Sequence, residues 1–200
     1  MPRRSVADAL KTRESIVGRA RDVASVDGLE GVTIGRLAGD LGMSKAGVIG
    51  HFGSKTELQL AALAAAGEIF TREVFGPGQA LPAGRGRVLA ICDAWVAHVT
   101  RPAFPGGCFF TAASFEFDGR PGPVHDEIRR GIRRWRRVLA REIGAAVEAG
   151  ELDRALDPEQ AAFELYAVVM GVNQEVQLFG DRRGGRERGR RAMRRVLGAA

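Results

Sequence analysis

Apolar residues along this chain recur at helical spacing and nowhere alternate as in a half-buried strand. Ile16, Ala20, Val23 and Ala24 form one stripe. They predict a first helix over residues 13–26, ended by Gly28 and preceded by a basic, poorly ordered arm over 1–12. Ile34, Leu37, Leu41, Met43 and Val48 predict two short helices in succession. The small Ala38 lets the second cross close over the first, and Gly42 supplies a left-handed turn residue between them. Thr33 and Ser44 stand at the two N-cap positions. Ser54 and Glu57 have capping-box spacing and open a fourth helix over 55–75. The glycines and prolines of 76–84 predict a linker, the clearest boundary in the chain.

Helical patterning then resumes over 85–99, 108–117, 124–149 and 158–179, and after a loop over 180–185 in a last arginine-rich helix. Pro102, Pro105 and residues 119–123 separate the middle segments. Ile128, Ile132, Trp135, Leu139, Ile143 and Val147 give the long 124–149 helix one apolar face, and Asp157-Pro158 caps and starts the next. The expected fold class is all-α, with about nine helices.

Residues 33–52 have the layout of a helix-turn-helix unit, which places its second helix in the DNA major groove. Lys45 opens that helix and is a candidate for guanine or phosphate. Thr33 and Arg36 lie on the helix that crosses the DNA backbone, and Ser44 caps the next. Ala46, Gly47 and Gly50 allow close backbone approach and contact with thymine methyls, whereas Val48 and Phe52 belong to the core. The chain carries 30 Lys and Arg against 24 Asp and Glu, net +6, which favours a polyanionic partner without identifying one. The run from Arg129 to Arg137 reads as a solvated helix face.

Other classes find less support. Cys92 and Cys108 make no disulfide framework and fit a reducing, cytoplasmic compartment. No signal peptide is evident, and no apolar run approaches the ~20 residues that span a bilayer, so no membrane is expected. His51, His98 and His125 have no metal-ligand spacing, and no cofactor is expected. Gly47, Gly50, Gly53, Lys55 and Thr56 miss the phosphate-loop spacing. Asp93 and His98 share a helix, but no nucleophile accompanies them, so no enzyme is expected. Two alternatives to a regulator stay open. A helical-bundle enzyme would turn over a substrate without binding DNA; a non-specific architectural protein would bind all duplexes alike.

Residues 12–60 resemble the TetR family of bacterial transcriptional repressors. The resemblance rests on Gly28-Leu-Glu-Gly-Val-Thr33, Ala38, Gly42-Met-Ser-Lys45, His51-Phe52, Ser54-Lys55 and Leu58. It implies a DNA-binding domain over 1–58 and a helical regulatory and dimerisation domain over 59–200. It further implies a homodimer on a palindromic double-stranded operator, released by a small-molecule effector. His51 and Lys55 occupy phosphate-contacting positions of the family, while Ile49 stands where a tyrosine is usual. Trp95, His98, Phe109, Trp135 and Tyr166, with Asn173 and Cys108, are the candidate lining of a hydrophobic effector pocket. Cys108 reads first as a buried inert thiol and second as a sensor. The 157–179 helix and the last helix resemble the family's dimerisation pair, with Ala161, Ala162, Leu165, Val168, Val169, Val172 and Val176 as the apolar surface.

Overall fold

A computed structural model describes residues 6–101 and 104–198. Residues 1–5 of the expected arm, and Pro102, lie outside the described residues. The elements, in order, are α1 (Val6–Asp27), α2 (Ile34–Asp40), α3 (Lys45–Phe52), α4 (Lys55–Phe70), a π-helical turn (Thr71–Phe75), α5 (Gly76–Gln79), α6 (Arg85–Thr100), α7 (Phe109–Phe117), α8 (Pro123–Glu148), α9 (Pro158–Phe179) and α10 (Arg182–Val196). No strand occurs among the described residues. The chain divides into two compact units, residues 1–67 with 104–128 and residues 68–103 with 129–200.

The first unit holds α1 to α3, most of α4, α7 and the start of α8. Ile16, Val17, Ala20, Val23 and Ala24 of α1 are buried with Leu37 and Ala38 of α2 and Val48 and Phe52 of α3. The caps follow the sequence reading. Thr33 Oγ1 accepts the Arg36 N–H at 3.2 Å, Ser44 Oγ accepts the Gly47 N–H at 3.0 Å, and Ser54 Oγ accepts the Glu57 N–H at 3.1 Å. Gly42 sits at φ +62, where a side chain would be strained, and Met43 N–H closes the turn onto the Ala38 carbonyl at 2.9 Å. Gly106, in the loop before α7, lies against the end of α1. Its N–H donates to Ser25 Oγ at 3.2 Å, and a Cβ there would overlap the Ser25 carbonyl.

The second unit is built on α6, which packs against the π turn, α5, α9 and α10. Val88, Ile91, Cys92, Trp95, Val96 and Val99 of α6 are buried with Leu165, Val169 and Val172 of α9 and Met193 of α10. Gly189 lets α10 close onto this core: a Cβ there would stand 2.6 Å from Val172 Cγ2. Glu142 of α8, 4% exposed, accepts from Arg87 at 3.2 Å and Arg141 at 2.8 Å.

Three expectations differ from what is found. α1 begins at Val6 rather than residue 13, because Ala7, Ala9 and Leu10 are good helix formers and Asp8 sits in the first turn. The expected linker over 76–84 starts as helix. The π turn widens the hydrogen-bonded ring just before Pro77, so its missing N–H and bulky ring no longer break the rod. α10 begins inside the expected 180–185 loop, because Asp181 caps it by accepting the Gly184 N–H at 2.8 Å.

Two glycine substitutions separate close approach from open space. Gly106→Ala lowers stability by about 1–3 kcal/mol, because Ser25 backbone must move. Gly131→Ala in α8 meets nothing within 4 Å and raises stability by about 0.5–1 kcal/mol. Thermal unfolding of both variants checks the opposite signs.

Candidate nucleic-acid interface and aromatic cluster

α3 turns Val48 and Phe52 inward, 0% and 8% exposed. At about 100° per residue, Ala46 and Gly50 then lie on the opposite face, and both are exposed. Ile49 flanks them, 45% exposed. Lys45 is exposed at the first helical position and lies along α2, its Cε 3.4 Å from where a Gly35 Cβ would be. His51 is half-buried, its ring 6.4 Å from that of Phe52. The Arg13 guanidinium sits over the same phenyl ring at 4.8 Å. Lys45 thus sits beside the start of α2, and the caps of α2 and α3, at Thr33 and Ser44, are already satisfied.

Two of the candidate cations are engaged. Arg36 pairs with Asp27 at 2.6 Å and approaches Asp40 at 4.0 Å, while Asp40 also accepts from Arg19 at 2.8 Å. These pairs are about two-fifths exposed, so each holds Arg36 weakly. Lys55 Nζ donates to the Glu30 carbonyl at 3.0 Å and to Glu30 Oε2 at 2.8 Å. Hydrogen bonds from Lys55 and then Gln59 keep the Glu30 carboxyl below its ordinary range.

Lys55 is one part of a clamp on the α1–α2 loop that sequence reasoning missed. Gln59, buried one turn after Lys55, donates to the Leu29 carbonyl at 2.8 Å. From α7, the Glu116 carboxylate accepts the Leu29 N–H at 2.7 Å and the Glu30 N–H at 2.8 Å. The signals were present: Gln59 is the one polar residue in the run 58–66, and Glu116 is the one charge in the Phe-rich stretch 109–117.

Among the candidate pocket residues, Trp95, His98, Trp135 and Tyr166 gather in the second unit around Phe70. Phe70 meets Trp95, His98 and Trp135 edge-on at 6.1, 5.6 and 5.0 Å. Trp95 meets Trp135 at 5.2 Å and Tyr166 at 6.2 Å, and Phe75 meets Trp135 at 6.3 Å. These are contact distances for aromatic pairs, so the rings fill the space between themselves. Phe70, Phe75 and Glu73 went unnoticed in the sequence because they fall across the π turn, where helical spacing is lost. His98 Nδ1 lies 2.9 Å from Glu73 Oε2. Burial lowers the proton affinity of His98 more than Glu73 raises it, so the neutral ring donates to the carboxylate. Trp135 Nε1 is buried without a hydrogen-bond partner among the described residues. Asn173 is buried two turns beyond Tyr166 on α9. Cys108 and Phe109 belong to the first unit instead. Cys108 precedes α7, and the Phe109 ring contacts Phe104 at 6.0 Å and Phe110 at 5.7 Å.

Neither thiol is poised to react. Burial raises the Cys108 pKa, and it pushes that of Cys92 up to about 12 with help from Asp93. Asp93 binds Arg190 at 2.9 Å and Arg194 at 3.5 Å, so its carboxylate is committed to α10 rather than to His98. No group of three metal-ligating side chains occurs among the described residues, and no helix there is long and apolar enough to cross a membrane.

Comparison with known proteins agrees with this geometry. Residues 16–62 match the family described as bacterial regulatory proteins, tetR family, and residues 84–193 match the tetracyclin repressor-like C-terminal domain. No curated protein matches the chain significantly. A TetR transcriptional regulator from Chloroflexus aurantiacus J-10-FL superposes with TM-score 0.84 at 24% identity, covering 96% of each chain. A putative transcriptional regulator from Saccharomonospora viridis, solved with choline, gives 0.76 at 20% identity over 94% of this chain and 96% of that one. AibR, solved with isovaleryl coenzyme A and operator DNA, gives 0.72 at 19% identity over 94% and 99%. At these identities the likeness is one of fold.

The clamp and the buried histidine each generate a test. Glu116→Ala leaves two loop N–H groups without their acceptor and costs about 1–3 kcal/mol, while Glu116→Gln, which keeps one acceptor oxygen, costs less. Urea denaturation ranks the two, and equal losses contradict the clamp. Because His98 is held neutral, its contribution to stability is complete above about pH 6.5 and is lost as pH falls below that value. Stability of the native chain therefore drops more between pH 7.5 and 5 than that of His98→Gln. Parallel urea titrations at the two pH values measure the difference.

Proposed function

We propose that this chain, which belongs to the tetR family of bacterial regulatory proteins, is a ligand-responsive repressor that acts in the cytoplasm as a homodimer on a palindromic operator. The observation that carries the reading is the solvent face of α3, capped at Ser44 and opened by Lys45, with Ala46 and Gly50 bare enough for the helix backbone to approach base edges. Lys45 reads a base or a phosphate. Thr33, Arg36, Ser44, His51 and Lys55 hold the DNA backbone, Arg36 and Lys55 after giving up part of their present contacts. Gly47 keeps the first turn of α3 narrow. Residues 1–58 carry DNA binding and 59–200 carry effector binding and dimerisation, with α7 of the latter packed into the first unit.

The effector is a small hydrophobic molecule that enters among Trp95, His98, Trp135 and Tyr166 by parting their rings, and Asn173 orients a polar group. It acts because it binds the parted arrangement better than the closed one. Two fold relatives were solved with a small molecule, choline in one and isovaleryl coenzyme A in the other, which supports the class of behaviour but not a ligand identity. Cys108 and Phe109 belong to the first unit and are not part of this lining.

Dimerisation uses α9. Ala161, Ala162, Leu165, Val169, Val172 and Val176 are buried within the chain itself. The surface left for a partner is the stripe of Phe163, Ala167, Gly171 and Leu178, with Phe163 and Leu178 48% and 66% exposed. A two-fold axis would set this stripe against its own copy, and Ala167 and Gly171 permit close approach.

Selection from a random DNA pool, followed by operator titration, tests the reading. Lys45→Ala weakens operator binding by about 1–3 kcal/mol and relaxes preference at one position per half-site. Lys55→Ala weakens all duplexes alike and reduces the salt slope by about one. A hydrophobic compound from a broad panel lowers operator affinity of the native chain, and light scattering gives a dimer at micromolar concentration. Similar affinity for every duplex would point to an architectural protein instead.

A further inference from the structure

From Ala46 to Gly50, α3 carries no side chain able to donate or accept a hydrogen bond. Direct readout by hydrogen bonding is therefore confined to the ends of the helix, at Ser44 and Lys45 on one side and His51 on the other. Between them one large side chain meets solvent. Ile49 is 45% exposed, while its neighbour Val48 is fully buried in the core. The Ile49 sec-butyl group lies beside Gly50, which has no side chain to cover it. An exposed isoleucine on a short helix contributes nothing to the packing of the unit by its exposed surface. In the major groove, the one base feature that rewards an apolar contact is the C5-methyl group of thymine.

We infer that Ile49 is a specificity-determining residue that selects thymine by packing against its methyl group. This rests on the proposal that α3 enters the major groove, and it adds the chemistry of what is read there. Lys45 sets the register on the helix through charge. Ile49 discriminates within that register by shape and apolar contact, with Gly50 and Ala46 allowing the helix axis to approach until the methyl is covered.

The experiment uses the full chain and the duplex enriched from a random pool. Each thymine of one half-site is replaced in turn by uracil, which removes the methyl and leaves the Watson–Crick and groove hydrogen-bonding groups unchanged. At one position per half-site the native protein loses roughly fourfold in affinity, the value of one buried methyl-sized group. In Ile49→Ala that uracil penalty disappears, whereas in Lys45→Ala it persists. Ile49→Val, one methylene shorter, retains part of it. Ile49→Ala replaces an exposed β-branched residue by a better helix former, so it folds, and its melting curve verifies this. A specific operator with no uracil penalty at any position, or a penalty unchanged in Ile49→Ala, overturns the assignment while leaving the regulator intact. A chain that enriches no sequence at all overturns the regulator reading and this inference together.

Discussion

The start of the six-residue loop between α1 and α2, residues 28–33, is the constraint on which the first unit depends. Gly28 to Glu30 has no regular structure to satisfy its backbone, yet Leu29 is buried. Its polar groups are met by side chains from two distant helices: Gln59 and Lys55 of α4 take the carbonyls, and Glu116 of α7 takes the N–H groups. A buried backbone group without a partner costs free energy comparable to a lost hydrogen bond, so these contacts fix the loop rather than decorate it. The start of α2 follows directly from the loop, and α3 follows from α2 through the Gly42 turn. The orientation of the groove-facing helix is therefore inherited from a contact made by a helix more than 50 positions later.

The second unit is organised by different physics. Its rings meet edge to face, a geometry favoured by their quadrupoles; His98 is matched locally by Glu73, while Trp135 Nε1 has no hydrogen-bond partner among the described residues. Charge is paired across helices. Glu142 gathers two arginines, and Asp93 ties α6 to α10 through two more. Part of the arginine of the sequence thus joins helices, so the count of arginines alone overstates the cations that stand free.

What was legible in the sequence is what depends on near neighbours. Thr33, Ser44 and Asp157 as caps and Gly42 as a left-handed residue all act within four positions, and each is where the chain order places it. The helix-turn-helix layout was legible for the same reason. The clamp was not, because Glu116 and Leu29 are 87 positions apart and neither residue type announces the other. The start of α1 and the continuation through Gly76-Pro77 were misjudged because composition was weighed without hydrogen-bond register. The ring cluster was half legible: Trp95, Trp135 and Tyr166 stand on regular helices, whereas Phe70 and Phe75 straddle the irregular turn.

That irregular turn has a mechanical meaning. A π turn holds one more residue than the α register requires, and Thr71–Phe75 stores that surplus in the middle of an otherwise continuous rod. Passing the surplus along the rod by one turn rotates the intervening side chains by about 100° and advances them by about 1.5 Å, without breaking the helix or changing its length. Phe70 and Phe75 touch the same indole from opposite ends of this segment. At α-helical spacing positions 70 and 75 would stand about 140° apart, so the surplus residue is what brings both rings onto one indole.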